Sequence, residues 1–360
     1  GKDFYAQNYV SPKETEISFP EKKKNLIIVY LESMENTYAD KGIFTNNLLP
    51  RLTQISKQNQ SFKRYRQTTG TYWSMGAFVG VSCGIELNHL GEENKVLDKA
   101  MFLPNVVCLQ DILIEQGYRA AFLQSGDLNF AGLDFFFFNH GNDKIKTFDK
   151  SYFAENFEDW QGHTFGAKDR LLYKKAKEVI TQMAQKKEPF FATIFTMDTH
   201  PFFSINNRDK GYLDENCSVI YNDFRDKIVC ADKMAGDFYD WFEKQSFAKD
   251  TVMVIMGDHQ LMSADIYDAY LKANEDKRSI FMTVINSSVS TQNQTKEFTA
   301  LDVFPSLLES IGAKIKGHCL GMGCSIFAKE KTLLEKEGKN ALAQKLSMPS
   351  RYYKKFIFGR

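Results

Sequence analysis

The sequence predicts an α/β fold, with a mainly parallel central sheet flanked by helices and a smaller sub-region at the C-terminus. Three apolar runs rich in β-branched residues carry the prediction: Asn25-Leu-Ile-Ile-Val-Tyr-Leu31, Phe190-Phe-Ala-Thr-Ile-Phe-Thr196 and Thr251-Val-Met-Val-Ile-Met256. Continuous apolar character, rather than alternation, marks strands covered on both faces, as in a parallel sheet. Between the runs, apolar residues recur at helical spacing among charges over 167–186 and 223–245. Strands alternating with such helices make βαβ units.

Residues 1–24, at the start of the chain, are polar, carry Pro12 and Pro20, and read as a lead-in arm. The run 25–31 is the first strand. Gln67 to Gly76 opens a small, apolar stretch reaching Cys83 that can form a helix, with Gly70 permitting a tight entry. Leu109 to Gln116 reads as a helix stopped by Gly117. Ala120–Leu123 and Ser279–Ile285 are shorter strand candidates. The basic, aromatic stretch Arg351–Phe358 has three readings: a membrane-surface contact, a terminal strand or a packed tail.

Composition bounds the function. A chain of 360 residues with 43% hydrophobic and 25% charged residues is that of a globular protein with a large core. The net charge of +1 supplies no global field for nucleic acid, so no nucleic-acid partner is expected. The 31 Phe and 16 Tyr thicken a core or line a lipid- or sugar-binding cleft. No run approaches the roughly 20 apolar residues of a membrane helix. Because the chain starts at Gly1, it is expected to be a processed piece whose membrane anchor lies upstream. The six cysteines suggest neighbour pairs, Cys83–Cys108, Cys217–Cys230 and Cys319–Cys324, and hence an oxidising compartment. Free thiols, or zinc held by His318, Cys319 and Cys324, are the alternatives.

Chemistry collects after the apolar runs. The first ends in Glu32, the second leads into Met197-Asp-Thr-His200, and the third into Gly257-Asp-His259. Ligands of open α/β sheets bind outside the carboxyl ends of strands. Glu32, Asp258 and His259 form a mixed oxygen and nitrogen set that suits zinc or manganese better than magnesium or calcium. Thr71 is placed near a helix N-terminus, where backbone N–H groups favour an anion, and a divalent metal can activate its hydroxyl. Taken alone, Thr71 is better read as a helix cap.

In order along the chain, these stretches, with Ser82-Cys-Gly-Ile-Glu-Leu87, Cys108-Leu-Gln-Asp-Ile-Leu113, Phe130-Ala-Gly132 and His140-Gly141, resemble the sulfatase and alkaline-phosphatase-like superfamily. More closely they resemble the membrane-anchored phosphoglycerol transferases that decorate osmoregulated periplasmic glucans, and the related lipoteichoic acid synthases. The resemblance runs from about Tyr9 to Phe327. It implies a catalytic domain over 25–328, with a C-terminal helix and tail over 329–360. It implies one divalent metal, zinc or manganese, held by Glu32, Thr71, Asp258 and His259, with room for a second metal. Thr71 would be the nucleophile, and His200 would contact the phosphoryl group, either as general acid on the leaving alkoxide or only as a hydrogen-bond donor to the phosphate. Cys83 would pair with Cys108. Asp127, Asn129 and His140 are the candidates for lining the headgroup site.

The implied reaction moves phosphoglycerol from a phospholipid to a periplasmic glycan through a phosphothreonine, in the periplasmic domain of an inner-membrane protein. Three other readings stay open: transfer of phosphoethanolamine from phosphatidylethanolamine to lipopolysaccharide sugars, hydrolysis by a phosphodiesterase or phosphatase, and a glycan-binding scaffold without catalysis. Sulfatases of this superfamily need a Cys or Ser matured to formylglycine, and a Thr nucleophile argues against them.

Overall fold

The computed structural model describes residues 2–87, 102–162, 166–200, 210–291 and 293–359. Seven strands form one mixed sheet: β1 (Asn25–Leu31), β2 (Gln60–Ser61), β3 (Arg119–Gln124), β4 (Ile145–Phe148), β5 (Phe190–Phe195), β6 (Thr251–Gly257) and β7 (Met282–Ile285). Their order across the sheet is β2-β7-β6-β1-β5-β3-β4. From β6 to β4 all neighbours run parallel, while β7 lies antiparallel to both β6 and β2. The strand expected from Ser279 therefore starts later. Ser279, Ile280 and Phe281 spend their backbone bonds on Asn36, Tyr65 and Met34 instead.

The three continuous apolar runs are the central strands, and both their faces are covered. Leu26, Ile28 and Tyr30 of β1 join one core layer, and Ile27, Val29 and Leu31 join the other. Each such side chain contributes about 1.5–3 kcal/mol by leaving water. The first layer is roofed by α2 (Ser74–Cys83), α3 (Leu109–Glu115), α4 (Leu133–Asn139) and α7 (Ala300–Ser310). The second is roofed by α1 (Pro50–Gln58), α5 (Asp169–Ala184) and α6 (Phe224–Glu243). Helix α6 starts on a capping box made by Asp223 and Asp226. Helix α3 stops where Gly117 takes a φ of 88°.

Helix α2 decides the site, and its small residues decide α2. A Cβ on Gly80 would stand 3.2 Å from Ala300 Cβ, so the two buried helices α2 and α7 approach closely only because residue 80 is bare. A Cβ on Gly76 would stand 2.1 Å from the Gly70 carbonyl oxygen, so its absence lets the entry turn fold back onto the helix.

The arm and tail pack on each other. Asp3 accepts hydrogen bonds from Ser350 Oγ and Tyr352 N, Tyr5 meets Tyr353 edge-on at 4.8 Å, and Ile17–Ser18 pairs antiparallel with Lys314–Ile315. Tyr353 and Ile357 are buried. Of the three readings of the tail, the packed one is the reading the structure shows. Helices α8 (Leu333–Glu337) and α9 (Lys339–Ser347) precede it. Among the described residues, no helix is long and apolar enough to cross a membrane.

The cysteines are joined as Cys83–Cys108, Cys217–Cys230 and Cys319–Cys324. The zinc alternative at Cys319 and Cys324 is thereby removed, because their sulfurs are spent and His318 Nδ1 sits 2.7 Å from Glu309. Cys83–Cys108 ties the end of α2 to the N-cap of α3. Replacing both by Ala is expected to cost about 3 kcal/mol, seen as a lower denaturant midpoint.

Candidate active site

The sheet register builds the site. Leu31, the last residue of β1, pairs with Gly257, the last of β6, so Glu32 and Asp258 leave the sheet side by side. Gly257 is needed there, since a Cβ would stand 2.2 Å from the Met34 carbonyl oxygen. The segment after β5 secures Glu32 from the other side. Thr196 Oγ1 accepts from Glu32 N at 3.0 Å, and Thr199 Oγ1 donates to Glu32 O at 2.5 Å.

Glu32, Asp258 and His259 come together, each no more than 1% exposed. His259 Nε2 lies 3.2 Å from both Glu32 Oε1 and Asp258 Oδ2. Its Nδ1 sits 2.7 Å from the Gln260 carbonyl, which can only accept, so Nδ1 carries the hydrogen and Nε2 faces the carboxylates. Asp258 Oδ1 is occupied by Ser33 N and His259 N, both at 2.8 Å, while Oδ2 accepts no hydrogen bond.

Two buried carboxylates around one imidazole leave negative charge that only a cation balances. The protonation pattern says the same. Burial and the Asp258 charge push Glu32 up to about 8. Burial alone would lower His259, but Asp258 and Glu32 outweigh it and hold it well above its ordinary value. Without a metal, a proton on His259 does the balancing. Oxygen ligands, one nitrogen and an unclaimed carboxylate oxygen fit a divalent ion such as zinc or manganese.

The hydroxyl that reaches this cluster is Ser74, not Thr71. Ser74 Oγ donates to Glu32 Oε2 at 3.0 Å and lies 3.4 Å from His259 Nε2. It is the first residue of α2, at the positive end of the helix dipole. Thr71 is buried in the preceding turn, where its hydroxyl donates to Thr68 O at 2.8 Å and accepts from Thr68 N at 3.1 Å. Its only hydrogen and one of its acceptor positions are spent on Thr68. Nor does it cap α2, whose N-cap is Trp73. A hydroxyl at the start of the Met75–Cys83 apolar run was the signal for Ser74.

His200 is half-buried after β5, and its imidazole feels the charges of Asp258 and His259. Burial and His259 lower it to about 4 against the pull of Asp258, so it is neutral at physiological pH. The other substrate candidates fare differently. Asp127 and Asn129 are exposed in the turn after β3, where Asp127 Oδ1 accepts from Asn129 N at 2.9 Å. Among the described residues, neither touches Glu32, Ser74, Asp258 or His259. His140 is a correction: it is 1% exposed, with Nδ1 2.7 Å from Asp111 and Nε2 2.9 Å from Leu103 O. Both nitrogens are used to fix the segment before α3, so it lines no open site.

A network missed in the sequence holds the chain after His259. Glu35 Oε2 accepts from Leu261 N at 2.8 Å and from Arg278 Nη2 at 2.6 Å, and Arg278 Nη2 also reaches Leu261 O at 2.7 Å. Glu35→Ala would leave the Arg278 guanidinium without its buried partner. The expected loss is about 3–5 kcal/mol by chemical denaturation.

Fold and site define a class: an α/β domain of the alkaline-phosphatase-like type, with a hydroxyl at a helix N-terminus beside a buried Glu32, Asp258 and His259 cluster at the strand ends that could hold a metal. The profile of the sulfatase family, described simply as "Sulfatase", matches residues 24–313, and the chain belongs to that family. It is 28% identical over 322 residues to phosphoglycerol transferase I of Xanthomonas campestris pv. campestris (strain B100), covering 86% of this chain and 43% of that protein. The chain thus spans less than half the length of that relative. Among solved structures, the lipoteichoic acid synthase LtaP from Listeria monocytogenes superposes with a TM-score of 0.66 at 20% identity, over 88% of this chain and 79% of that one. The C-terminal periplasmic domain of EcEptC from Escherichia coli, in complex with Zn, superposes with a TM-score of 0.58 at 13% identity, over 98% of this chain and 100% of that one.

Proposed function

We propose that this chain is the extracytoplasmic catalytic domain of a membrane-anchored transferase that moves phosphoglycerol from a phospholipid to a glycan through a phosphoserine at Ser74. The observation that carries it is the Ser74 hydroxyl 3.0 Å from the buried Glu32 carboxylate at the start of α2. Relatives named phosphoglycerol transferase I support that headgroup over ethanolamine. The three disulfides support an oxidising compartment.

Glu32, Asp258, His259 and Ser74 Oγ would hold one divalent ion, zinc or manganese, which lowers the pKa of the hydroxyl and draws charge from the phosphoryl oxygens. Ser74 Oγ attacks phosphorus, helped by the dipole of α2, and the bond from phosphorus to the diacylglycerol oxygen breaks. Neutral His200 takes the serine proton and hands it to the departing oxygen. In the second half the same imidazole takes the proton of a glycan hydroxyl and returns it to Ser74 as the phosphoserine is resolved.

Vesicles of phosphatidylglycerol or phosphatidylethanolamine, each incubated with the protein, test the proposal through the mass of the adduct on Ser74. A glycerophosphate adduct is the expected result. An ethanolamine-phosphate adduct would change the headgroup, and an unmodified Ser74 with lipid still consumed would remove it as nucleophile. Lipid turnover equal with and without glycan would make the protein a phosphodiesterase. A serine, unlike a threonine, can mature to formylglycine. That product at Ser74, lighter than serine by two hydrogens, would show in the same spectrum and point to sulfate esters.

A further inference from the structure

A cleft of about 430 Å³ is lined by residues that adjoin the candidate site in the chain. Gln260, which follows His259 in the chain and donates its N–H to Gln67 Oε1 at 3.0 Å, is one of its lining residues. Tyr72, next but one before Ser74, also lines the cleft and is 43% exposed. Lys339 and Asn340 of α9 complete the lining, and both lie beyond the family match at 24–313. The C-terminal sub-region thus shares a cavity with Gln260 and Tyr72, the chain neighbours of the site.

The lining has a distinct chemistry. Gln67, Thr68, Thr69, Gln260 and Asn340 present amides and hydroxyls. Three cations, Arg66, Arg278 and Lys339, stand among three carboxylates, Glu275, Asp276 and Glu297, so the lining carries no net charge to favour an anion. Arg278 pairs with Glu275 at 2.9 Å and Arg64 with Glu297 at 3.7 Å. Arg66 is half-buried and donates from Nη1 to Arg278 O at 2.5 Å, with no salt bridge among the described residues. A phosphate would pair with Arg66 but would also meet three carboxylates. A polyhydroxylated ligand suits the polar groups there, because each hydroxyl donates to a carboxylate or amide oxygen and accepts from an amide or guanidinium. The apolar face of a pyranose has an exposed aromatic ring to lie on in Tyr72.

We propose that this cleft is the acceptor subsite and binds an uncharged oligosaccharide, with Tyr72 and Asn340 setting its affinity. The proposal rests on the phosphoserine reading. A sugar hydroxyl presented from the cleft forms the new bond to phosphorus, the bond from phosphorus to Ser74 Oγ breaks, and the sugar proton ends on Ser74 by way of His200.

The experiment separates the two half-reactions, using phosphatidylglycerol vesicles as donor and a linear gluco-oligosaccharide as acceptor. Asn340→Ala and Tyr72→Ala, both at exposed positions, are expected to keep the Ser74 adduct and to raise the acceptor KM about tenfold. Tyr72→Phe, which keeps the ring, is expected to restore most of the loss. An unchanged acceptor KM in both alanine variants would overturn the subsite. So would displacement of the oligosaccharide by equimolar inorganic phosphate, which marks an anion site. If no Ser74 adduct forms, the phosphoserine reading fails instead. Calorimetric titration of the same oligosaccharide then decides the cleft: weaker binding to Asn340→Ala supports it, and no binding to the wild type sinks it.

Discussion

Ser74→Ala is expected to lower phosphoryl transfer by about 10⁴-fold or more, while leaving the fold intact and three of the four proposed ion ligands in place. The nucleophile is lost, but Glu32, Asp258 and His259 are untouched, and the small side chain is compatible with the start of α2. Thr71→Val is the informative contrast. It removes a hydroxyl that bonds only to Thr68 in the turn, so the expected cost is about 1–3 kcal/mol of stability with the adduct still formed on Ser74. Ser74→Thr keeps a hydroxyl and should retain part of the activity. Single-turnover assays with labelled lipid read all three. A dead Thr71→Val beside an active Ser74→Ala would return the nucleophile to Thr71.

The second large effect is expected from chelating the proposed divalent ion, and it depends on pH. Chelation should abolish turnover, and restoring zinc or manganese should recover it. In the ion-free protein Glu32 is raised from 4.5 to about 8 by burial and by Asp258. A carboxyl with a raised folded pKa binds more protons folded than unfolded, so stability falls as pH rises between those values. His259 acts in the same direction. Its stabilising proton is fully present below the ordinary value of 6.5 and is lost as pH rises through the folded value. Asp258 is held below its ordinary 3.8, so its titration lies under this window.

The ion-free protein should therefore melt lower at about pH 8 than at about pH 5.5. Because an ion binds the deprotonated ligands, its increment to Tm should be larger at the higher pH. At a thousandfold excess over Kd that increment corresponds to about 4 kcal/mol. Scanning calorimetry with and without chelator measures it. An increment that shrinks as pH rises would mean that the ion is held elsewhere.

Much of this was legible in order along the chain. The runs at 25–31, 190–196 and 251–256 had to be covered strands, because their apolar side chains alternate between two core layers and neither face is left for water. The polar residues at the carboxyl ends of these strands are thereby brought to one edge of the sheet, and Glu32, Asp258 and His259 do converge there. His140 was misplaced for a physical reason: a histidine near a glycine in a loop looks the same in sequence whether its nitrogens face a ligand or, as here, Asp111 and a carbonyl. The network of Glu35 with Arg278 joins residues far apart in the chain, and no local pattern announces it.

The hydroxyl marks the division. By itself the sequence named Thr71 as the hydroxyl and Glu32, Asp258 and His259 as the metal set. It placed the last three correctly together at the ends of β1 and β6, since the apolar patterning fixes which ends of which strands carry the polar groups. Which hydroxyl it is, only the tertiary structure decided. The turn from Thr68 to Thr71 closes on itself, Gly76 lets Gly70 press against the helix, and α2 begins at Ser74 with its side chain on Glu32. The Ser74–Glu32 contact joins residues 42 apart in the chain, and spacing along the chain does not contain it.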